Sequence, residues 1–263
     1  TPITGGSLYF YLFLLRSDHM NKPLITAGEL IRTSWDQFRN DWRFNLEGAV
    51  RFLIANIIAA LPGAFIVKTA TDFTPTNTVI FLLFTIASSV LLIHTSNSFT
   101  HALLRKAADQ KVTALDNAIG WKYFWPAIWV GIIQGFAILG ATILLIIPGI
   151  WLAGRLAFAN VVLLDEDKRG VEALKRSSEL VKGRWWAAFW RSLASGLVFG
   201  ILMVLVTLIL GAFIGLLVGG LGQASEASTS SFGQMLSAVV QSFFIPLFLI
   251  FTVRLYKNLK ETA

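Results

Sequence analysis

Residues 124–164 read FWPAIWVGIIQGFAILGATILLIIPGIWLAGRLAFANVVLL, a stretch whose only charge is Arg155. A helix that crosses the hydrocarbon of a bilayer needs roughly 20 mostly apolar residues, so the run holds enough chain for two crossings. Pro148-Gly149 cuts it near the middle. Proline removes a backbone N–H and glycine tolerates a turn, and the stretch reads as a transmembrane hairpin with its helix break at Pro148 and Gly149. The arms are Phe124–Ile147 and Ile150–Leu164. The second arm is short, about 22 Å at 1.5 Å per residue against a core of ~30 Å. It must borrow length from Asp165 onward, tilt beside a thinned bilayer, or re-enter.

Four further runs extend the pattern, at Asn45–Val67, Asn77–Ser98, Ser192–Val218 and Phe232–Val253. The whole chain agrees, with 55% hydrophobic and only 14% charged residues over 263 positions. Soluble domains carry about a quarter charged residues, so an ordinary globular enzyme and a disordered chain are both excluded. The expected fold is an all-α polytopic membrane bundle of about six transmembrane helices, one domain over residues 20–263. Met20-Asn21-Lys22-Pro23 reads as a natural start, which leaves residues 1–19 a doubtful N-terminal extension. The rival reading makes the apolar run Leu8–Leu15 an interfacial anchor; it lacks the basic flank and cleavage site of a signal peptide.

Charge sets the orientation. Setting aside Arg16 in the doubtful extension, eighteen of the 22 basic residues fall before the first span, between the second and third, between the fourth and fifth, or after the sixth. The intervening loops, Lys68–Thr76 and Gly219–Ser231, hold Lys68 alone. This asymmetry follows the positive-inside rule and puts both termini in the cytoplasm. Six crossings keep the Val171–Arg184 cluster on the same side as the rest. Trp35, Trp42, Trp121, Trp125, Trp185, Trp186 and Trp190 lie near the same ends of the spans, where indoles favour headgroups. A net charge of +7 then reflects contact with anionic phospholipids rather than nucleic acid.

Each odd-numbered span follows an amphipathic stretch. Thr26 and Glu29 make a capping box, after which Ile31, Trp35, Phe38 and Trp42 share a helical face. In the stretch after Gly170, Val171, Leu174, Ser178 and Val181 share a face, while Glu172–Arg176 and Lys175–Glu179 have i,i+4 spacing. A shorter middle stretch begins T-x-x-D at Thr113. Leu30-Ile31-Arg32-Thr33-Ser34 parallels Leu174-Lys175-Arg176-Ser177-Ser178, and Trp42 and Trp186 each lie twelve residues after the leucine. Three cytoplasmic interfacial helices, in a three-unit parallel repeat, would form a collar at the membrane surface. Arg32, Lys175, Arg176, Lys182 and Arg184 are its candidate contacts with lipid or a protein partner; the residues name no particular partner and no oligomeric state.

The run Pro148-Gly149-Ile150, Arg155, Glu166, Gly170, Ala173-Leu174-Lys175-Arg176-Ser177, Leu180, Gly183 and Trp186 resembles the signature of YciC-like bacterial integral membrane proteins. It is similar to the membrane domain fused to some glycerophosphodiester phosphodiesterases. The resemblance implies a six-helix bundle in the bacterial inner membrane. No phosphodiesterase domain accompanies it, so that activity does not carry over.

Candidate chemistry is sparse. The chain has no cysteine, and no acid lies deep in a span, where proton-coupled carriers place one. No catalytic residue, cofactor or metal set is expected. Glu47 and Arg51, at the mouth of the first span, have the favoured i,i+4 order. Arg155 is the exception, a charge costing at least ~2.5–3.5 kcal/mol at mid-bilayer. It would bind the carbonyls freed at Ile146 and Ile147, or line a polar cavity and meet an anionic headgroup. Asn160, Gln134, Gln241 and His94 complete the candidate intramembrane polar site, with Asn56 a further uncharged neighbour. The leading expectation is a non-enzymatic accessory or scaffold factor in envelope or lipid homeostasis. The alternatives are a small-molecule or lipid transporter using Arg155 and the Pro148-Gly149 break, and, by the resemblance, a regulatory membrane domain for a lipid-modifying enzyme.

Overall fold

The computed structural model describes residues 24–65, 74–112, 114–219 and 231–262; the readings of residues 1–19, Met20 and Thr113 lie outside these. Ten helices and no strand occur among the described residues. They are α1 (Ala27–Asn40), α2 (Trp42–Phe65), α3 (Pro75–Lys106), α4 (Asn117–Lys122), α5 (Phe124–Leu144), α6 (Ile146–Leu156), α7 (Ala159–Glu166), α8 (Val171–Leu180), α9 (Trp185–Gly219) and α10 (Ser231–Glu261). Six stretches are long and apolar enough to cross a membrane: Trp42–Pro62, Pro75–Lys106, Phe124–Leu144, Ile146–Glu166, Trp185–Phe213 and Met235–Glu261. The chain is a multi-pass helical membrane protein.

The fourth stretch gains its length at both ends. It runs from Ile146 to Glu166, about 31 Å at 1.5 Å per residue, but as two helices jointed at Ala157-Phe158. The preceding break also moves. Helix α5 ends at Leu144, Leu145 is extended (φ −160°, ψ 141°), and Pro148 and Gly149 lie inside the first turn of α6. In a continuous helix the Pro148 ring would strike the carbonyl four residues earlier, so the chain opens ahead of the proline. Gly149 then matters for packing. A Cβ there would come within 2.9 Å of the Thr142 Cα and overlap its Oγ1, so the hairpin closes only on a glycine.

The packed core gathers at the basic end of the bundle. Phe99, Leu103 and Leu104 of α3, most of α7, and Leu247, Ile250, Leu255 and Leu259 of α10 are buried together. By contrast Leu83 and Ile86 of α3, Phe136 and Ile143 of α5, and Leu208 and Ile209 of α9 are all exposed. In water such faces would drive aggregation; beside lipid tails, burial against protein brings no hydrophobic gain and these faces are at rest. Helix α3 runs on past Ser98 to Lys106 and α10 past Val253 to Glu261, carrying that core beyond the apolar midsections.

The amphipathic helices seat differently from a surface collar. Thr26 caps α1 through the Glu29 N–H (3.2 Å), and Asp116 caps α4 through the Ala118 N–H (2.9 Å). Leu30 and Ser34 of α1 are buried while Trp35 is exposed. Helix α8 buries Ala173, Leu174, Ser177, Leu180 and Val181 against α5, α6 and α7, leaving Val171 exposed. The apolar face is one position off the expected one because α8 is plugged into the bundle. The repeat-matched pairs do correspond in setting: Leu30 and Leu174 are buried, Trp42 and Trp186 exposed.

Replacing Gly149 by Ala is expected to lower stability by about 1–3 kcal/mol, the usual range for overpacking. Gly140→Ala, where the added methyl meets nothing within 4 Å, is expected to hold or raise it. Thermal melting in detergent, followed by tryptophan fluorescence, checks both.

Candidate functional site

Helix α7 ends in Asp165-Glu166, and α10 ends in a turn that presents Tyr256, Lys257 and Lys260 to them. The Tyr256 hydroxyl donates to Asp165 Oδ2 (2.9 Å) and Glu166 Oε1 (3.2 Å). Lys257 reaches Asp165 Oδ1 at 3.1 Å, and Lys260 reaches Asp165 Oδ2 at 2.7 Å and Glu166 Oε1 at 3.1 Å. Arg176 of α8 and Lys168 close on Glu166 Oε2 at 3.1 and 3.0 Å. Two carboxylates thus tie three elements together at the basic end. The expected Glu172–Arg176 and Lys175–Glu179 pairs do not form, because Arg176 turns inward to Glu166. Glu47–Arg51 does form (2.6 Å), extended to Asn117 Oδ1 at 2.5 Å.

The five basic residues expected to contact lipid or a partner divide. Arg184 donates to the Thr262 carbonyl (2.8 Å), the Leu259 carbonyl (3.2 Å) and the Thr262 hydroxyl, clamping the end of α10. Arg176 and Arg184 are therefore internal ties rather than free surface cations. Burial opposes the charge of Arg176, but the Glu166 bonds more than offset it and raise its pKa; Arg184, with no acid beside it, is lowered by burial. Arg32, Lys175 and Lys182 are exposed and have no ion pair among the described residues. Arg191, which sequence reasoning counted only as charge, holds the chain leading into α1 through the Ile25 (2.6 Å) and Leu24 (3.2 Å) carbonyls.

The candidate intramembrane site does not assemble as one cluster. Arg155 lies nine residues beyond the turn of the hairpin, about 13 Å along α6, and meets neither Ile146 nor Ile147. Its guanidinium stacks over Trp151 at 4.4 Å, beside Trp185, whose Nε1 donates to the Trp151 carbonyl (3.0 Å). Arg155 thus stands near the middle of the Ile146–Glu166 stretch, with its charge over an aromatic ring rather than on the freed carbonyls. His94 is buried against α4, its Nε2 3.1 Å from the Asn117 carbonyl and its ring 4.7 Å from that of Trp121. Gln241 is exposed, and Asn56 donates to Ser242 at 3.0 Å. Gln134 and Asn160 do come together, lining a cavity of about 570 Å³ between α3, α5 and α7 with Ser96 and Asn97. Asn97, which its spacing groups with His94 and Ser98 as a helix–helix contact, instead faces this cavity. It is 1% exposed and its Nδ2 has no hydrogen-bond partner among the described residues.

A second cavity, of about 670 Å³, opens between α1, α3 and α10, lined in part by Asp36, Gln37, Asp41, Lys106 and Arg254. Arg254 Nε donates to Gln37 Oε1 (2.7 Å), and Lys106 pairs with Asp41 at 3.0 Å. The only advance signal for it was an arginine at the end of the last apolar run. No cluster of three or more acids and histidines suited to a metal occurs among the described residues.

Residues 117–259 match a family described as Domain of unknown function (DUF7847). That segment is more than half of the chain. The chain belongs to this family. No curated protein and no solved structure matches it. The family segment opens at the first residue of α4 and closes near the end of α10, so it takes in Gln134, Asn160, the Asp165-Glu166 pair, Lys168 and Lys257, while Lys260 lies one residue beyond it. The α3 wall of the lateral cavity lies before it.

Removing one charge from a buried network strands its partners, at a cost of about 3–5 kcal/mol. Asp165→Asn is expected to fall near the low end of that range. Asp167→Asn, at an exposed pair with Arg169, should change stability by about 0.5 kcal/mol or less. Comparative melting of the two purified variants reads the difference.

Proposed function

We propose that this is a non-enzymatic protein of a bacterial cytoplasmic membrane, acting as an accessory or scaffold factor in envelope or lipid homeostasis. Its basic end and both termini face the cytoplasm. The observation that carries the reading is the division of labour among the cations. Arg176, Arg184, Arg191, Lys257 and Lys260 are spent inside the head, whereas Arg32, Lys175 and Lys182 stand exposed without an ion pair among the described residues. Cations held on a rigid head beside an inner leaflet attract anionic lipid, each contributing about 1 kcal/mol.

Against the transporter alternative, Arg155 stacks on Trp151 and does not line the cavity that holds Gln134 and Asn160. The cavity between α3, α5 and α7 keeps a lipid cargo in view, because its amides face an apolar groove. A regulatory role beside a lipid-modifying enzyme is a further reading, supported by the YciC-like resemblance alone.

Two measurements test these proposals. In this cysteine-free chain, Lys182→Cys should react with an impermeant thiol reagent only after the cells are opened, and Thr74→Cys in intact cells. Labelling of Lys182→Cys from outside would reverse the orientation. In cells lacking the gene, Arg155→Gln should restore membrane phospholipid ratios and envelope integrity, while combined Arg32→Gln, Lys175→Gln and Lys182→Gln should not. The opposite pattern would favour transport through Arg155.

A further inference from the structure

Helix α3 carries Ile93, Asn97, His101 and Arg105 at successive i,i+4 positions, one stripe that changes from apolar to amide to imidazole to guanidinium. Beside it, α7 runs in the same direction with Asn160 and then Leu164. Two cavities follow this seam. The first, of about 570 Å³, is walled by Leu92, Ile93, Ile128 and Ile132 and holds the amides of Asn97, Gln134 and Asn160. The second, of about 350 Å³, lies one turn closer to the basic end and is lined by His101, Arg105 and Gln110 with Leu164 and Asp165.

Polar groups in the first cavity are left wanting. Among the described residues the buried Asn97 Nδ2 is unpaired, and the side chains of Gln134 and Asn160 make no hydrogen bond. Burying an amide without a partner is unfavourable; Asn97 is buried, Gln134 and Asn160 are half-buried, and the three converge on one apolar groove. In the second cavity Arg105 has a hydrogen bond from Nε to Gln110 (2.8 Å) but no acid partner among the described residues. Asp165, the acid on that rim, is already held by Lys257, Lys260 and Tyr256. The end of the seam therefore presents uncompensated positive charge.

We propose that this seam binds one glycerophospholipid of the adjacent leaflet. An acyl chain lies between α3 and α5, the ester carbonyls accept hydrogen bonds from the Asn97, Gln134 and Asn160 amides, and the phosphate sits by His101 and Arg105. The spacing suits the molecule. Asn97 and His101 are one helical turn apart, about 6 Å, and Arg105 is a turn further toward water. The order of polarity along the stripe is that of a phospholipid read from tail to headgroup. The proposal rests on the groove and on the chain being a membrane protein, and it holds whether or not the accessory role does.

The test uses the full chain in mild detergent, with native mass spectrometry for retained lipid and melting curves for binding. The probes are short-chain phosphatidylglycerol and, separately, inorganic phosphate. The wild-type protein should retain phospholipid and be stabilised by added phosphatidylglycerol. Asn97→Leu should weaken that binding about tenfold, as loss of one good hydrogen bond does, yet leave the delipidated protein as stable as wild type or more so, because it removes an unpaired amide. Arg105→Gln should weaken it comparably. Asn160→Leu, on the partly exposed side of the groove, gives a second reading should Asn97→Leu fold poorly. Equal binding by all three variants, or absence of retained lipid from the wild type, would overturn the proposal. Inorganic phosphate stabilising as strongly as the lipid would overturn it too, in favour of a simple phosphate site.

Discussion

A single hydroxyl holds the returning arm of the hairpin together. Where α6 gives way to α7, the Phe158 N–H and the Arg155 carbonyl lose the partners that an unbroken helix would supply. The Ser177 hydroxyl of α8 meets both, accepting from Phe158 N (3.1 Å) and donating to the Arg155 carbonyl (2.8 Å). Inside an apolar environment each orphaned backbone group costs several kcal/mol, so the break can exist only while α8 is docked. Ser177 is fully buried, with Ala173, Leu174 and Leu180 packed around it to keep water out.

Much of the basic end follows from that joint. The change of direction at Ala157-Phe158 turns α7 inward, where Ala159, Val162 and Leu163 are completely buried, and brings Asp165-Glu166 to Tyr256, Lys257 and Lys260 on α10. Arg184, just beyond α8, then fastens the last carbonyls of α10. The apolar spans can remain loosely associated and coated with lipid because the order of the bundle is enforced from one end. The same geometry opens the α3–α7 seam, since a bent fourth span cannot fill the space between α3 and α5 along its whole length.

The number of spans was legible because hydropathy is a property of long runs, and six apolar stretches need no knowledge of tertiary contacts. Local chemistry was legible too: the Thr26 cap and the Glu47–Arg51 pair depend on neighbours three and four residues away. The joint at Ala157-Phe158 was not, since it contains neither proline nor glycine and is stabilised by a serine 19 residues distant. Leu145 misled for a related reason: a proline disrupts the helix ahead of itself, so the visible residue is not the broken one. The stacking of Arg155 on Trp151 was not read, although the two residues have i,i+4 spacing. Asn97, grouped by spacing with His94 and Ser98 as a helix–helix contact, parts from them because the amides it meets come from other helices.

The most direct test of this account is amide hydrogen exchange across residues 154–160, compared between the wild type and Ser177→Ala in the same detergent. The Phe158 amide should be protected in the wild type and exchange at least about tenfold faster in the variant, the ratio equivalent to one lost hydrogen bond. Unchanged protection at Phe158, with an unchanged melting temperature, would show that the broken span stands without α8 and would contradict the dependence argued here.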